Sequence, residues 1–117
     1  MLLQASLLNR SNVNVKAIPY DPKVQGGSNK AGHVKVFKSE ALTDQDIKNY
    51  AQKLAGDVPL KQVSPGIYLA KLSDGTSVRL RSVSSSQKET GARWTIDIEN
   101  NPSLRDITKE TVELKFR

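Results

Sequence analysis

The sequence contains no cysteine and a single histidine, His33, among its 117 residues. A chain without thiols forms no disulfides, and one histidine without a cysteine argues against a zinc site. The motifs GxGxxG and GxxxxGK[ST] are absent, and no serine stands in a GxSxG motif. We therefore expect neither a metal nor a cofactor, and a mechanism that uses two histidines is excluded by count.

Aromatic residues and long apolar runs are also scarce. Aromatics make up 5% of the chain and hydrophobic residues 37%, which predicts a thin, aliphatic core. The apolar opening MLLQASLL is far shorter than a membrane span and lacks the basic start and the cleavage site of a signal peptide. We expect no membrane segment, and we interpret the opening as a start within a longer protein or as a short helix.

Positive charge is concentrated at the start of the chain. The formal net charge is +6, and residues 1–38 hold six Lys/Arg against one acid, whereas residues 39–117 hold twelve against eleven. A basic arm on a nearly neutral body indicates a polyanionic partner, either nucleic acid or an acidic protein. A solvated leader that lysines keep soluble explains the arm equally well.

One segment, EALTDQDIKNYAQKLAG, has the periodicity of an amphipathic helix. Its apolar residues recur at helical spacing from Ile47 to Leu54. Thr43 and Asp46 have the spacing of a capping box, and Gly56 suits the left-handed position after the last turn. We predict one principal helix here.

Alternating segments predict the strands. They are HVKVFK, the hairpin GIYLAKL–SDG–TSVRLRS, then RWTIDI and TVELKF, with a short helix in SLRDITKE capped by Ser103. The fold class is therefore α+β, a twisted antiparallel β-sheet of four to five strands packed against one principal α-helix. Residues 1–32 are predicted to be a basic N-terminal arm or short helix that is partly loop, and residues 33–117 a single domain.

Alternation also divides the strand residues between two faces. If the apolar set packs on the helix, the other face is cationic and rich in hydroxyls, beside the serine loop that follows Arg81. Arginine binds phosphate with two hydrogen bonds, and hydroxyls can hold its oxygens. Ordinary cross-strand pairing on a polar outer face explains the same pattern. The candidate side chains are Arg79, Arg81, Arg93, Thr95, Asp97 and Lys115 from the strands, with Ser82, Ser84, Ser85, Ser86 and Lys88 from the loop.

His33, the only histidine, stands between Lys30 and Lys35. In metal-free RNA cleavage a base deprotonates the ribose 2′-hydroxyl, which attacks the adjacent phosphate, and an acid protonates the leaving oxygen. Histidine suits either role, while the lysines would bind phosphate. A surface histidine at the start of a strand is the plainer interpretation. Asp97 is expected to orient a nearby arginine.

The segment DGTSVRLRSVSSS…GARWTIDI resembles the ribonuclease domains at the C-termini of bacterial polymorphic toxins, above all those of contact-dependent growth inhibition systems. These are similar to the barnase, EndoU, colicin D and RelE superfamily. The shared pattern is a basic residue and serine ending one strand, a variable Ser/Gly/Lys loop, and a strand with Thr-x-Asp. Here these are Arg81 and Ser82, the loop serines, and Thr95 and Asp97. The likeness extends from about Asp57 to the end of the chain.

A weaker likeness is to the colicin D nuclease domain. NKAGH, with Lys30 and His33, is similar to its Lys/His segment, whereas Arg93-Trp94-Thr95 only partly matches its Ser-x-Trp strand. The resemblance implies a toxin, secreted at the C-terminus of a larger surface effector, that cleaves RNA in the cytoplasm of a neighbouring bacterium. tRNA is the expected substrate. It also implies a cognate acidic immunity protein and leaves room for a host factor such as elongation factor Tu.

The sequence thus favours a metal-independent tRNA endonuclease, with two alternatives. His33 is predicted as base or acid, the three arginines as phosphate ligands, and Ser84 and Thr95 as further catalytic side chains. The predicted RNA-binding residues are Lys30, Lys35, Ser82, Ser85, Ser86, Lys88, Asp97 and Lys115. The alternatives are a non-catalytic nucleic-acid-binding module and a protein-interaction module for delivery.

Overall fold

A computed structural model of the protein describes residues 6–8, 14–23, 26–82 and 91–117, with only the backbone given for 6–8 and 14–16. The strands are β1 (Ser6–Leu8), β2 (Asn14–Lys16), β3 (Val34–Phe37), β4 (Lys61–Ser64), β5 (Ile67–Lys71), β6 (Ser77–Arg81), β7 (Trp94–Glu99) and β8 (Val112–Phe116). The helices of the described residues are α1 (Asp44–Ala55) and α2 (Pro102–Arg105). The class is α+β, as predicted.

The main sheet has six strands in the order β3-β8-β7-β6-β5-β4. From β4 to β8 each strand pairs antiparallel with the next along the chain. β3 pairs with β8 in parallel at the far edge. The sheet is thus larger than the predicted four to five strands, and it is mixed: β4 to β8 are antiparallel as predicted, whereas β3 is parallel to its neighbour.

Two further sequence predictions need correction. β4 was missed because its residues, KQVS, are all exposed and carry no apolar alternation. α2 is capped by Asn101, whose side-chain oxygen accepts from the amide of Leu104 at 3.1 Å, and not by Ser103. Pro102 then occupies the first helical turn, where its missing N–H costs nothing.

The N-terminal segment pairs with itself and then reaches the sheet. β1 and β2 form an antiparallel pair, so Ser6–Leu8 is a strand and not part of a short helix. Immediately after β2, Ala17 forms a bridge to Phe37 of β3, and the amide of Ile18 donates to the carbonyl of Val36 at 2.7 Å. The chain following β2 is therefore attached to the β3 edge of the sheet.

α1 covers one face of the sheet and begins at the predicted cap. The Thr43 hydroxyl accepts from the Asp46 amide at 3.1 Å, and the Asp46 carboxylate accepts from the Thr43 amide at 3.0 Å. Between helix and sheet, the Phe37 and Phe116 rings stack with centroids 5.1 Å apart. The remaining core is aliphatic, as predicted. Within the described residues, no helix is long and apolar enough to span a membrane.

Candidate active site

The sheet face opposite α1 carries a compact group of polar and charged residues from three adjacent strands. Arg81 of β6, Thr95 of β7 and Lys115 of β8 form one cross-strand row, and the next row includes Asp97 and Glu113. We call these five residues the charged cluster. They share a face because they lie an even number of residues apart on each strand, so the sequence predicted this face correctly.

Arg81 is the centre of the charged cluster. Its Nε donates to Asp97 Oδ2 at 2.7 Å and its Nη2 to Asp97 Oδ1 at 3.1 Å. The same Nη2 contacts Glu113 Oε1 at 3.2 Å, so the guanidinium spans two neighbouring strands. The Asp97 hydrogen bonds, followed by the charges of both carboxylates, raise the pKa of Arg81 despite its partial burial. The expectation that Asp97 orients an arginine is confirmed.

Much of the charged cluster is buried. Thr95, Asp97 and Lys115 expose only 1%, 4% and 3% of their surface. The prediction that these side chains are displayed to solvent is therefore wrong. Lys115 Nζ lies 3.5 Å from Glu113 Oε1, so the two cations are matched by two carboxylates. The Glu113 side chain, 27% exposed, is the most accessible of the ionic groups.

The other two predicted arginines lie outside the charged cluster. Arg79, whose side chain is 41% exposed, has its Nη1 3.5 Å from Glu99 Oε1. Arg93 reaches the start of α1, where it binds Asp44 Oδ1 at 2.7 Å. Its remaining donors bind the carbonyls of Arg117, Ser39 and Leu42. Arg93 thus joins the end of β8 to the β3–α1 connection, and the structure does not bring the three arginines to one point.

His33 directly precedes β3, one strand from Glu113. Its carbonyl accepts from the Glu113 amide at 2.7 Å. The Asn29 amide nitrogen lies 3.4 Å from His33 Nδ1 and 3.3 Å from Nε2, while the Asn29 oxygen accepts from the amides of Gly32 and Val34. The tight turn that carries His33 is therefore organised by Asn29.

The backbone of His33 is distant from that of Arg81. Val36 of β3 lies in the same cross-strand row as Lys115 and Arg81. His33 is three residues before Val36 along the chain, and β3 is three strands away from β6, which carries Arg81. Ideal sheet spacings make this roughly 17 Å. Glu113 links the two, since its amide contacts His33 and its carboxylate contacts Arg81.

Glu113 is the residue that sequence reasoning missed as a candidate for proton transfer. Its spacing of two residues from Lys115 puts it on the same face of the sheet, but no sequence feature shows that it contacts both Arg81 and Lys115. That relation depends on β8 pairing with β7 and on the length of the Arg81 side chain, which crosses β7.

The remaining predicted residues are dispersed. Lys30 is exposed in the turn before His33, and Lys35 is half-buried on β3, where its partner Leu114 faces α1. Ser82 follows β6 directly, and its amide donates to the carbonyl of Gly66 at 2.9 Å. Ser84, Ser85, Ser86 and Lys88 lie outside the described residues.

Comparisons with protein-family models, with curated proteins and with solved structures found no match to this chain. The toxin resemblance thus rests on the sequence motifs alone. Among the described residues, no three His, Asp or Glu side chains are grouped so that they could hold a metal ion.

Proposed function

We propose that this chain is a toxin domain with endoribonuclease activity, which cleaves RNA by attack of the ribose 2′-hydroxyl on the adjacent phosphate without a metal. The observation that carries the proposal is the position of Glu113. Its carboxylate contacts Arg81 and Lys115, and its backbone amide donates to the backbone carbonyl of the lone histidine, His33. A carboxylate and two cations thus come together from β6 and β8, and the backbone of the histidine lies directly before β3, the strand next to β8.

These groups suit the chemistry of phosphate transesterification. Glu113 or His33 accepts the 2′-hydroxyl proton, the 2′ oxygen bonds to phosphorus, and the 5′ oxygen leaves with a proton from the other group. Arg81 and Lys115 are the cations that would stabilise the negative charge of the phosphorane. Arg81 must exchange part of its contact with Asp97 or Glu113 for phosphate, so we expect the RNA to rearrange this ion pairing on binding.

The proposal includes the partners that the toxin resemblance implies. These are tRNA as substrate, a cognate acidic immunity protein, and a host factor such as elongation factor Tu. Lys30, in the turn before His33, and Lys38, directly after β3, are exposed and add positive charge at the two ends of the β3 edge. This charge supports a polyanionic partner at that edge.

The direct test is incubation of the folded domain with total bacterial RNA in EDTA, followed by a denaturing gel and analysis of fragment ends. We expect a discrete cut in tRNA that leaves a cyclic phosphate. Intact RNA, both in EDTA and with magnesium and cell extract, would refute the nuclease proposal.

Variants then test the residue assignment. His33→Ala and Glu113→Gln should each lower cleavage by about a hundredfold or more, whereas Lys53→Gln, on an exposed part of α1, should not. Arg81 is better tested as Arg81→Lys, which keeps a cation beside Asp97. Full activity of both His33→Ala and Glu113→Gln, with unchanged circular dichroism, would exclude this site.

The charge balance of the cluster favours a second candidate, a non-catalytic RNA-binding or protein-interaction module. Both of its cations already contact carboxylates, as they would in a purely structural network. A nucleic-acid-binding module predicts affinity for RNA that falls steeply with salt and yields no new ends. A delivery or adaptor module predicts tight binding of one acidic protein and no affinity for bulk RNA.

A further inference from the structure

A groove lies on the other side of the sheet from the charged cluster, between α1 and the strands β5 and β6. Its volume is 260 Å³. The α1 side is lined by four polar residues at helical spacing, and the floor is apolar. The lining residues are Gln45, Lys48, Asn49 and Gln52 from α1, with Leu60, Tyr68 and Leu80 opposite. This size suits a small planar group and not a large ligand.

Lys48 is held in this groove by two aromatic rings. Its ammonium lies 5.2 Å from the ring centroid of Trp94 and 5.7 Å from that of Tyr68. In the part of the chain that the structure describes, no carboxylate lies within 4.0 Å of this ammonium. Lys48 is therefore an oriented cation with no neutralising partner there, in contrast to Arg81 and Lys115.

The groove also has unused hydrogen-bonding groups on a fixed wall. The Gln45 side chain donates to Asn49 Oδ1 at 2.9 Å, and in the described region Gln45 Oε1 and Asn49 Nδ2 have no hydrogen-bond partner. Gln52 holds the chain after α1 in place by donating to the carbonyls of Gly56 and Val58 and accepting from the Leu60 amide. Gln52 thus fixes the Leu60 end of the groove.

We propose that this groove binds one nucleotide of a single-stranded nucleic acid. The phosphate contacts Lys48, the base packs against Tyr68 and the apolar floor, and the free amide groups of Gln45 and Asn49 meet the edge of the base. A cation beside aromatic rings and amides is the combination by which proteins hold unpaired nucleotides. The inference rests on the proposed function for the expectation that the strand is RNA, but nucleotide binding itself does not require cleavage.

The only tryptophan of the chain, Trp94, reports on the groove directly. The experiment titrates the protein with AMP and with UMP while Trp94 fluorescence is recorded, with excitation at the red edge to avoid nucleotide absorbance. A mononucleotide has no phosphodiester to cleave, so this result is independent of nuclease activity. We expect a saturable change for at least one nucleotide, and binding of ribose 5-phosphate, which lacks a base, that is about tenfold or more weaker.

Two variants separate the groove from general positive charge. Lys48→Met keeps the length of the side chain and removes its charge, and we expect it to weaken nucleotide binding about tenfold or more. Lys53→Met, on the same helix but outside the groove, should bind as the unchanged protein does. Calorimetric titration of both variants avoids any effect of the substitution on tryptophan emission.

Several results would overturn the proposal. These are no saturable signal with either nucleotide, equal affinity in Lys48→Met and the unchanged protein, or equal affinity for ribose 5-phosphate and the nucleotides. Nucleotide binding in a protein that leaves RNA intact would support the groove and refute the nuclease proposal. RNA cleavage without nucleotide binding would support the nuclease proposal and refute the groove proposal.

Discussion

The guanidinium of Arg81 binds the carboxylate of Asp97 through two hydrogen bonds, and the Asp97 side chain is only 5% exposed. A two-point contact of this kind fixes the orientation of both groups. It also means that a residue predicted to bind phosphate is part of the internal packing of the sheet. Any test of Arg81 in catalysis must therefore be read together with its effect on folding.

Replacing Arg81 with Met should destabilise the fold because it leaves the Asp97 charge buried without its partner. We expect the free energy of unfolding to fall by about 3 kcal/mol. The double variant Arg81→Met/Asp97→Leu should recover much of this loss, since no uncompensated charge remains. Urea unfolding of the single and double variants measures both effects. Strictly additive losses would show that the pair does not act as a unit.

Arg93 should matter more for stability than Arg79, although both are arginines at half-exposed positions. Arg93→Met removes contacts with the Asp44 carboxylate and with three backbone carbonyls, and should cost about 2–3 kcal/mol. Arg79→Met removes one exposed contact of 3.5 Å and should cost less than about 1 kcal/mol. Equal midpoints in urea would contradict the role of Arg93 in joining β8 to α1.

Gly66, in the β4–β5 turn beside Ser82, can be compared with Gly75, in the β5–β6 turn. Both have positive φ, 73° and 94°, so an alanine is strained at either position. A Cβ at Gly66 would also collide with the Ser82 hydroxyl, whereas at Gly75 nothing lies within 4 Å. Gly75→Ala should cost about 1 kcal/mol, and Gly66→Ala should cost more because the Ser82 hydroxyl must also move away. Thermal unfolding of the two variants measures the loss of stability in each. An equal loss in both would contradict the predicted collision with Ser82.

Tyr50 should make the fold sensitive to alkaline pH. Burial raises the pKa of Tyr50 above its usual 10.0, because the folded protein disfavours the phenolate. The stability linked to this group is complete below the unfolded pKa and is lost as pH rises through the higher folded value. Unfolding in urea should therefore show that Tyr50→Phe loses less stability than the unchanged protein from about pH 9 to about pH 11.

The control for this measurement is Tyr20→Phe. Tyr20 is 46% exposed, and the substitution leaves Tyr50 in place. We expect this variant to keep the alkaline dependence of the unchanged protein. If Tyr50→Phe and Tyr20→Phe lose stability equally, the alkaline loss does not come from Tyr50.

Local signals in the sequence predicted most of the secondary structure. The capping box of Thr43 and Asp46 set the start of α1, and Asp74-Gly75 marked the hairpin of β5 and β6. These features could be predicted because caps and turns depend on residues a few positions apart. β4 could not be predicted, because an exposed edge strand needs neither apolar residues nor an alternating pattern. The parallel docking of β3 on β8 was equally invisible, because it joins segments far apart in the chain.

For the candidate site, the sequence alone determined which side chains share a face, since the period of a strand is set by its own backbone. It therefore identified Arg81, Thr95, Asp97 and Lys115 as neighbours. Only the tertiary structure decided that these groups are largely buried and charge-balanced, and that Glu113 connects them to His33. Likewise, only α1 packing on the sheet brought Lys48 over Trp94. Burial and ion pairing depend on strand order and on how helix and sheet meet, and no local pattern encodes either.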